Sequence, residues 1–257
     1  MPSKILIQKG KKQYFEDLDR EVTIVKQKQY YLDDISKDFS TSSGTIKKSE
    51  LKKTGRIKSI QDKEFNIFDA SFIDDYRRIK RLPQIIPLKD IGFIMAKTGI
   101  GPDSVVVEGG TGSGALAIFL SRCCKKVYSY EIEKVHLDIA AENLKSLGIK
   151  NVVLKNKSMY EKIDEKEVNL VCFDLPEPWK ALDSASKALV PGGFIVSYSP
   201  TIIQSADFVN ALSKRDDFIT LKTVEVIERE WEIDGRKVRP TSKSIIHSGF
   251  ISMGRKI

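Results

Sequence analysis

One run constrains this chain more than any other: Val105-Val106-Val107-Glu108-Gly109-Gly110-Thr111-Gly112-Ser113-Gly114, followed by the apolar helical pattern Ala115–Ser121. Consecutive β-branched residues favour a strand buried on both faces. The glycines then let the backbone turn tightly and let a ligand come close. The helix that follows begins with free N–H groups. A strand that enters a helix through so short a loop is half of a βαβ unit, and such units build parallel sheets with right-handed crossovers.

The same alternation continues downstream. Lys126–Tyr130 reads as a strand and Lys134–Leu147 as an amphipathic helix closed at Gly148. Asn151–Leu154 and Val168–Phe173 are strands, and Lys180–Leu189 is a helix stopped by Pro191-Gly192-Gly193. Phe194–Tyr198 is a strand and Ile203–Ser213 a helix; Asp90–Thr98 leads into the set. Two longer strands, about 218–232 and 244–256, are joined through Asp234-Gly235, so one of them must run antiparallel. The expected fold is therefore α/β: a doubly wound, mostly parallel Rossmann-like sheet with an antiparallel C-terminal strand.

Residues 1–70 follow another pattern. Short candidate strands at Ile5–Gln8, Thr23–Val25, Gly44–Lys47, Arg56–Ile60 and Phe65–Phe68 are separated by Gly, Asp, Ser and Lys clusters, which predicts a small β domain. Ala70–Arg81, closed by Pro83, reads as a charged helical connector. The expected domains are 1–70, a connector 71–87, and 88–257. A chain of 257 residues can hold one large and one small domain.

Charge bears on partners. Net charge is +8, and residues 1–80 hold 18 Lys and Arg against 13 Asp and Glu. Such an excess attracts polyanions through counterion release. The cysteines, Cys123, Cys124 and Cys172, are odd in number and show no metal-ligand spacing, so no metal site is expected and a reduced chain is. No apolar run approaches a membrane span. These readings predict a cytoplasmic protein with no membrane partner.

The glycine loop fits two cofactors. Gly110-x-Gly112-x-x-Ala115 matches a dinucleotide fingerprint, with pyrophosphate at the helix N-terminus. It equally suits S-adenosylmethionine, with the methionine part on the loop and Glu108 near its ammonium group. Glu131 closes the next strand, about twenty residues after Gly110, where a carboxylate can accept hydrogen bonds from ribose hydroxyls. Loop and acid together imply an adenosine-type cofactor and leave the choice between the two open.

The fourth strand of the alternating region ends in Asp174-Leu175-Pro176-Glu177-Pro178-Trp179. Ligands of open α/β sheets sit beyond the carboxyl ends of strands, so Asp174 is expected beside the cofactor loop. Two prolines stiffen the loop and remove donors. A carboxylate with carbonyls is an acceptor-rich site suited to an exocyclic amine. Trp179 is equally suited to stacking on a base or to covering the core.

With this motif the chain resembles the tRNA (adenine-58-N1) methyltransferases of the single-chain archaeal and bacterial type. The resemblance spans nearly the whole sequence. It is carried by Arg81-Leu82-Pro83-Gln84-Ile85-Ile86 with Lys89-Asp90, the loop Glu108 to Leu116, Val127 to Glu131, and Asp174 to Trp179. Pro191-Gly192-Gly193-Phe194 to Tyr198, Arg239-Pro240-Thr241 and His247-Ser248-Gly249-Phe250 complete it. It implies S-adenosylmethionine as cofactor, tRNA as substrate and a homotetramer. It implies Asp174 as the catalytic aspartate and Tyr198 as an active-site tyrosine. Cofactor contacts are implied for Glu108, Gly109, Gly110, Thr111, Gly112, Ser113, Gly114, Glu131, His136 and Asp174, with Gln84 near the entrance. Two departures stand out. The family usually has an acid where this chain has Ser158, and an aromatic residue or His followed by Pro where it has Pro87-Leu88.

The implied chemistry is methyl transfer to adenine N1, with Asp174 accepting a hydrogen bond from the N6 amine. The target base must leave its stack to expose N1. Lys47, Lys48, Lys52, Lys53, Arg56, Arg77 to Arg81, Arg236, Lys237 and Arg239 are the candidates for phosphate contacts. Three rivals remain at this level: a small-molecule methyltransferase, an NAD-dependent oxidoreductase, and a noncatalytic RNA-binding subunit.

Overall fold

The computed structural model describes residues 3–82, 84–242 and 247–257. The expected connector stop at Pro83 and the start of the last expected strand, 244–246, lie outside the described residues. The chain divides into two compact units, 1–78 and 79–257. The division falls inside the expected connector, in which, among its described residues, Phe72–Tyr76 is the α-helical part; it opens with a Ser71–Asp74 capping box and ends at Arg77.

The first unit is built on a four-stranded antiparallel sheet in the order Lys28–Leu32, Lys4–Gln8, Glu64–Asp69, Gly55–Lys58. Leu6, Leu32, Ile46, Leu51, Ile57, Phe65 and Ile67 form its core. Lys11–Phe15, Lys28–Leu32 and Phe39–Thr41 are strands that the sequence did not suggest. Lys11–Phe15 is exposed at every position and pairs only with Arg20–Val25, so no buried face imposes a period of two on it.

The second unit carries a seven-stranded sheet. Its strands are β1 (Val105–Gly109), β2 (Lys126–Tyr130), β3 (Val152–Lys155), β4 (Val168–Phe173), β5 (Leu189–Ser199), β6 (Phe218–Glu225) and β7 (Phe250–Lys256). Their order is β3-β2-β1-β4-β5-β7-β6. The first five run parallel, and β7 lies antiparallel between β5 and β6, as expected of a terminal strand. The helices are α1 (Leu88–Thr98), α2 (Ala115–Leu120), α3 (Lys134–Ser146), α4 (Leu182–Ala188) and α5 (Ile202–Ser213). Alternate residues of the central strands enter two cores. Val106, Leu170 and Val196 pack with Ile91 and Ile94 of α1 and with Leu120 of α2. Val107, Val171 and Ile195 pack with Ala185 of α4 and with Phe208 of α5. Burial on both faces is why these strands read as continuous apolar runs.

Two expectations are corrected. Pro191-Gly192-Gly193 does not separate a helix from a strand: α4 ends at Ala188 and β5 runs through all three residues. Gly192 takes φ +81°, and the β4–β5 register shifts between Val168 and Leu170, so the motif is an irregularity within a strand. The long strand expected at 218–232 ends at Glu225, and Trp231–Asp234 pairs instead with Lys237–Pro240 as a separate hairpin. Trp231, Ile233 and Val238 prolong the alternation of β6 in sequence yet are exposed, so no core holds them in its sheet.

Candidate active site

Strand order reverses at β1: the next strand in sequence lies on one side of it and β4 on the other. The crevice beyond such a pair of carboxyl ends is where doubly wound sheets bind ligands. Here the glycine loop leaves β1 and Asp174 leaves β4, and the two are in contact. The Asp174 N–H donates to the Gly109 carbonyl at 2.9 Å, and the Gly110 N–H to the Tyr130 carbonyl at 3.0 Å. A Cβ at Gly110 would lie 2.0 Å from the Asp174 carbonyl oxygen, and its φ is +87°. Both clearance and backbone conformation demand glycine there. Gly112, at φ +52°, has nothing closer than 4.0 Å, so protein contact does not explain its missing side chain.

A cavity of about 690 Å³ opens over these loops. Gly110, Gly112, Glu131, His136, Ser158, Asp174 and Gln84 all line it, which brings together seven of the residues singled out from sequence. Glu131 is fixed before any ligand arrives. It accepts from the backbone N–H groups of Gly112 at 3.0 Å, Ile132 at 2.9 Å and Glu133 at 3.0 Å. Its Oε2 takes one of these bonds and keeps a lone pair for a ligand hydroxyl. His136 Nδ1 stands 3.7 Å from that same oxygen. Leu82 and Gln84 follow a segment anchored by buried Asn143, which exchanges hydrogen bonds with the Lys80 backbone (2.9 and 2.8 Å) and donates to the Ser113 carbonyl at 2.9 Å. Ser158 accepts from the Tyr160 N–H at 3.2 Å. Sequence reasoning missed Ile132, Met159 and Tyr160 as lining residues. Ile132 carried a signal, since it follows Glu131 at a strand end and is an exposed apolar side chain.

The remaining loop residues act from behind the wall. Glu108 is 2% exposed and accepts from the Ser129 hydroxyl at 2.6 Å, which in turn bonds the Thr111 hydroxyl at 2.5 Å. Burial pushes the Glu108 carboxyl up to about 8, with repulsion from Asp174 and Glu131 adding to it and the Ser129 bond opposing it. Burial, then Glu131, pushes Asp174 up to about 6. Lys157, a cation on the wall, is paired with Asp164 at 2.7 Å. The hydroxyl of Ser113, also buried, has no hydrogen-bond partner. Mutually repelling carboxylates and a spare loop donor are suited to a ligand with a positive centre, ribose hydroxyls and a carboxylate. S-adenosylmethionine has all three.

Gly109 and Gly114 shape the loop from outside the cavity lining. Gly109 admits the Met159 sulfur, and Gly114 caps α2. Tyr198 is also outside the lining. It stands on β5 one residue after Ser197, the partner of Phe173, so it lies level with Asp174 on the adjacent strand. Its ring is buried, and its hydroxyl donates to Asp90 at 3.3 Å. Trp179 is half-buried and packs against the core. The proline loop is held by Gln204, which donates to the Pro176 carbonyl at 3.1 Å, and by Tyr160, whose hydroxyl receives the Glu177 N–H at 3.3 Å. Among the described residues no group of His, Cys, Asp and Glu is placed to hold a metal, and no helix is long and apolar enough to cross a membrane.

Residues 78–248 match the family model described as tRNA methyltransferase complex GCD14 subunit. The chain is 34% identical over 258 residues to the tRNA (adenine(57)-N(1)/adenine(58)-N(1))-methyltransferase TrmI of Methanocaldococcus jannaschii, covering 89% of this chain and 91% of that one. It is 34% identical to the tRNA (adenine(58)-N(1))-methyltransferase TrmI of Thermus thermophilus, over 63% of this chain and 66% of that one. Among solved structures, an S-adenosylmethionine-dependent O-methyltransferase from Thermotoga maritima superposes with a TM-score of 0.80 at 26% identity, covering 100% of this chain and 93% of that one. The tRNA (m1A58) methyltransferase TrmI of Aquifex aeolicus has the same fold, with a TM-score of 0.77 at 24% identity, over 100% and 97% of the two chains.

Proposed function

Because this chain belongs to the tRNA (adenine-N1)-methyltransferase family, we propose that it is an enzyme that methylates N1 of adenine 58 in the T loop of tRNA, with S-adenosylmethionine as methyl donor. The observation that carries this reading is the contact between Asp174 and the glycine loop, which sets a carboxylate in the same cavity as Gly110 and Glu131.

Each role follows from the placement of a residue. When bound, S-adenosylmethionine supplies an electrophilic methyl group on a positively charged sulfur. Glu131 accepts from the ribose, Glu108 faces the ammonium group from behind the loop, and the loop with Ser113 takes the methionine part. His136, Gln84 and Ser158 complete the wall, with Ser158 offering a hydroxyl rather than a charge. Adenine N1 has an in-plane lone pair, so the carbon–nitrogen bond forms as the carbon–sulfur bond breaks, without a nucleophile from the protein. Positioning is the main source of acceleration. Asp174 accepts a hydrogen bond from the N6 amine and stabilises the positive charge that grows on the base. With its carboxyl near 6 it is mostly ionised at neutral pH even before the cofactor adds its charge. Tyr198 stands behind this wall, on the strand beside Asp174.

The target adenine must be extruded from its stack, and cationic side chains are the candidates for holding tRNA phosphates. Lys47, Lys48, Lys52, Lys53 and Arg56 of the first unit are exposed, as are Arg236, Lys237 and Arg239 of the hairpin. Lys53, Lys237 and Arg239 are each paired with a glutamate, so an RNA phosphate must compete for them. The assembly that does this is proposed to be a homotetramer in the cytoplasm. The deciding experiment incubates the protein with unmodified tRNA and labelled S-adenosylmethionine and identifies the product nucleoside. Label in 1-methyladenosine at position 58 supports the reading; label in metabolites and none in tRNA sinks it.

A further inference from the structure

Two stretches of the sequence, Lys89-Asp90 and His247-Ser248-Gly249-Phe250, have no place in the cofactor cavity, yet the fold brings them together in the interior. Asp90 is fully buried in the first turn of α1. Its Oδ1 is paired with Lys89 Nζ at 2.8 Å, and its Oδ2 accepts from the Ser248 hydroxyl at 2.7 Å and the Tyr198 hydroxyl at 3.3 Å. Lys89 has a second task. Its ammonium also donates to the Val226 carbonyl at 2.5 Å and to the Ser248 hydroxyl at 2.6 Å. Val226 directly follows β6 and Ser248 shortly precedes β7, so one ammonium group grips both roots of the arm that carries the exposed hairpin. The Tyr198 ring is wedged in the same place, since a Cβ at Gly249 would come 2.5 Å from it.

A buried ion pair is a poor stabiliser compared with apolar packing of the same volume, because desolvation offsets most of the attraction. Such a pair is better explained by what it orients. The group at its end is Tyr198, one strand from Asp174 and at the same level of the sheet edge. We propose that Lys89 and Asp90 are positioning residues for methyl transfer: their buried pair fixes Tyr198 on the strand beside Asp174 by holding its hydroxyl, and locks the roots of the 226–248 arm. The proposal rests on the reading of the Asp174 site as the place where the target base is gripped. Asp90 and Lys89 act through Tyr198 and the arm and do not touch the cofactor cavity.

The test uses the full-length protein, unmodified tRNA and S-adenosylmethionine, with Asp90→Asn, Tyr198→Phe, the double variant and Ser248→Ala. The Asp90→Asn protein should lose about 10²-fold in kcat, as misplacement of a positioned group does, while its calorimetric affinity for S-adenosylmethionine stays within about twofold. In the double variant the losses should not multiply, because both changes remove the same oriented hydroxyl. The Ser248→Ala change deletes one donor and leaves the ion pair, so it should lower kcat about tenfold in a folded protein, which keeps the test decisive should Asp90→Asn fail to fold. Multiplying losses, a matching loss of cofactor affinity, or wild-type kcat in Ser248→Ala would each overturn the proposal. A wild-type protein that leaves tRNA unmethylated overturns the parent reading, and this proposal with it.

Discussion

The protonation of the cavity walls predicts how cofactor affinity must vary with pH. Asp174 ionises near 6 instead of its ordinary 3.8, so the fold opposes its negative charge by about 3 kcal/mol. Glu108, near 8, is opposed more strongly. Both values are raised, so the folded protein holds protons that the unfolded chain has released. Their contribution to stability is therefore present at low pH and lost as pH rises, from about 4 to 6 for Asp174 and from about 4.5 to 8 for Glu108. A bound sulfonium with its ammonium group reverses this by favouring the ionised forms. If the cofactor returns Asp174 to its ordinary value, this group alone should make affinity about tenfold weaker at pH 5 than at pH 7.5. Glu108, if likewise returned toward its ordinary value, should add a further rise across about pH 4.5 to 8. At pH 7 binding should release close to one proton, mostly from Glu108, because Asp174 is already largely ionised there. Titration calorimetry in buffers of different ionisation heat reads the proton count directly. Replacing Asp174 by Asn should make the pH dependence shallower by about tenfold between pH 5 and 7.5 and leave the part due to Glu108. Equal affinity at pH 5 and 7.5, with no proton release, would refute the reasoning that these carboxylates face a cation.

Other outcomes can be checked with standard assays. Asp174→Ala should weaken S-adenosylmethionine binding by about 10²-fold at neutral pH, as loss of a carboxylate coupled to the cation requires, and at saturating cofactor should still lose about 10²- to 10³-fold in kcat on tRNA, as removal of a single charge-stabilising contact does. Gly112→Ala puts a methyl group where the protein has nothing and keeps a left-handed backbone, so thermal melts should show a loss of about 1 kcal/mol while cofactor affinity falls sharply. Asn143→Ala removes three hydrogen bonds from buried or half-buried groups and should cost about 2–4 kcal/mol in denaturant titrations. Filter-binding affinity for tRNA should fall about 10³-fold between 50 and 200 mM salt if at least six phosphates are held, and a flat response would exclude phosphate clamping.

The parts of this structure that the sequence made legible are those under two constraints at once. Val105 to Gly114 must be strand, turn and helix start, and the glycines leave few alternatives. Asp174 was placed correctly because a buried run, Val168–Phe173, stops dead at a charged residue and a proline loop. Gln84 was reached only through resemblance, since its position depends on Asn143, sixty residues away along the chain. Tyr198 illustrates what local pattern omits. Its strand position was evident, but its hydroxyl partner belongs to α1, and no spacing rule links residues 90 and 198. The Lys11–Phe15 ribbon and the Trp231–Pro240 hairpin failed for the opposite reason. They have no buried face in this chain, so hydrophobic periodicity either vanishes or misleads.

Gly110 and the Asp174 carbonyl meet without clearance, and this has a consequence for how such an enzyme can change over time. Two segments more than sixty residues apart behave as one machined joint. Lengthening either turn, or adding one carbon at Gly110, shifts the other by the same increment, so the donor-holding loop and the base-gripping loop are inherited as a matched pair. New substrates must then be acquired by altering the walls around this joint, and Ser158 lies in such a wall.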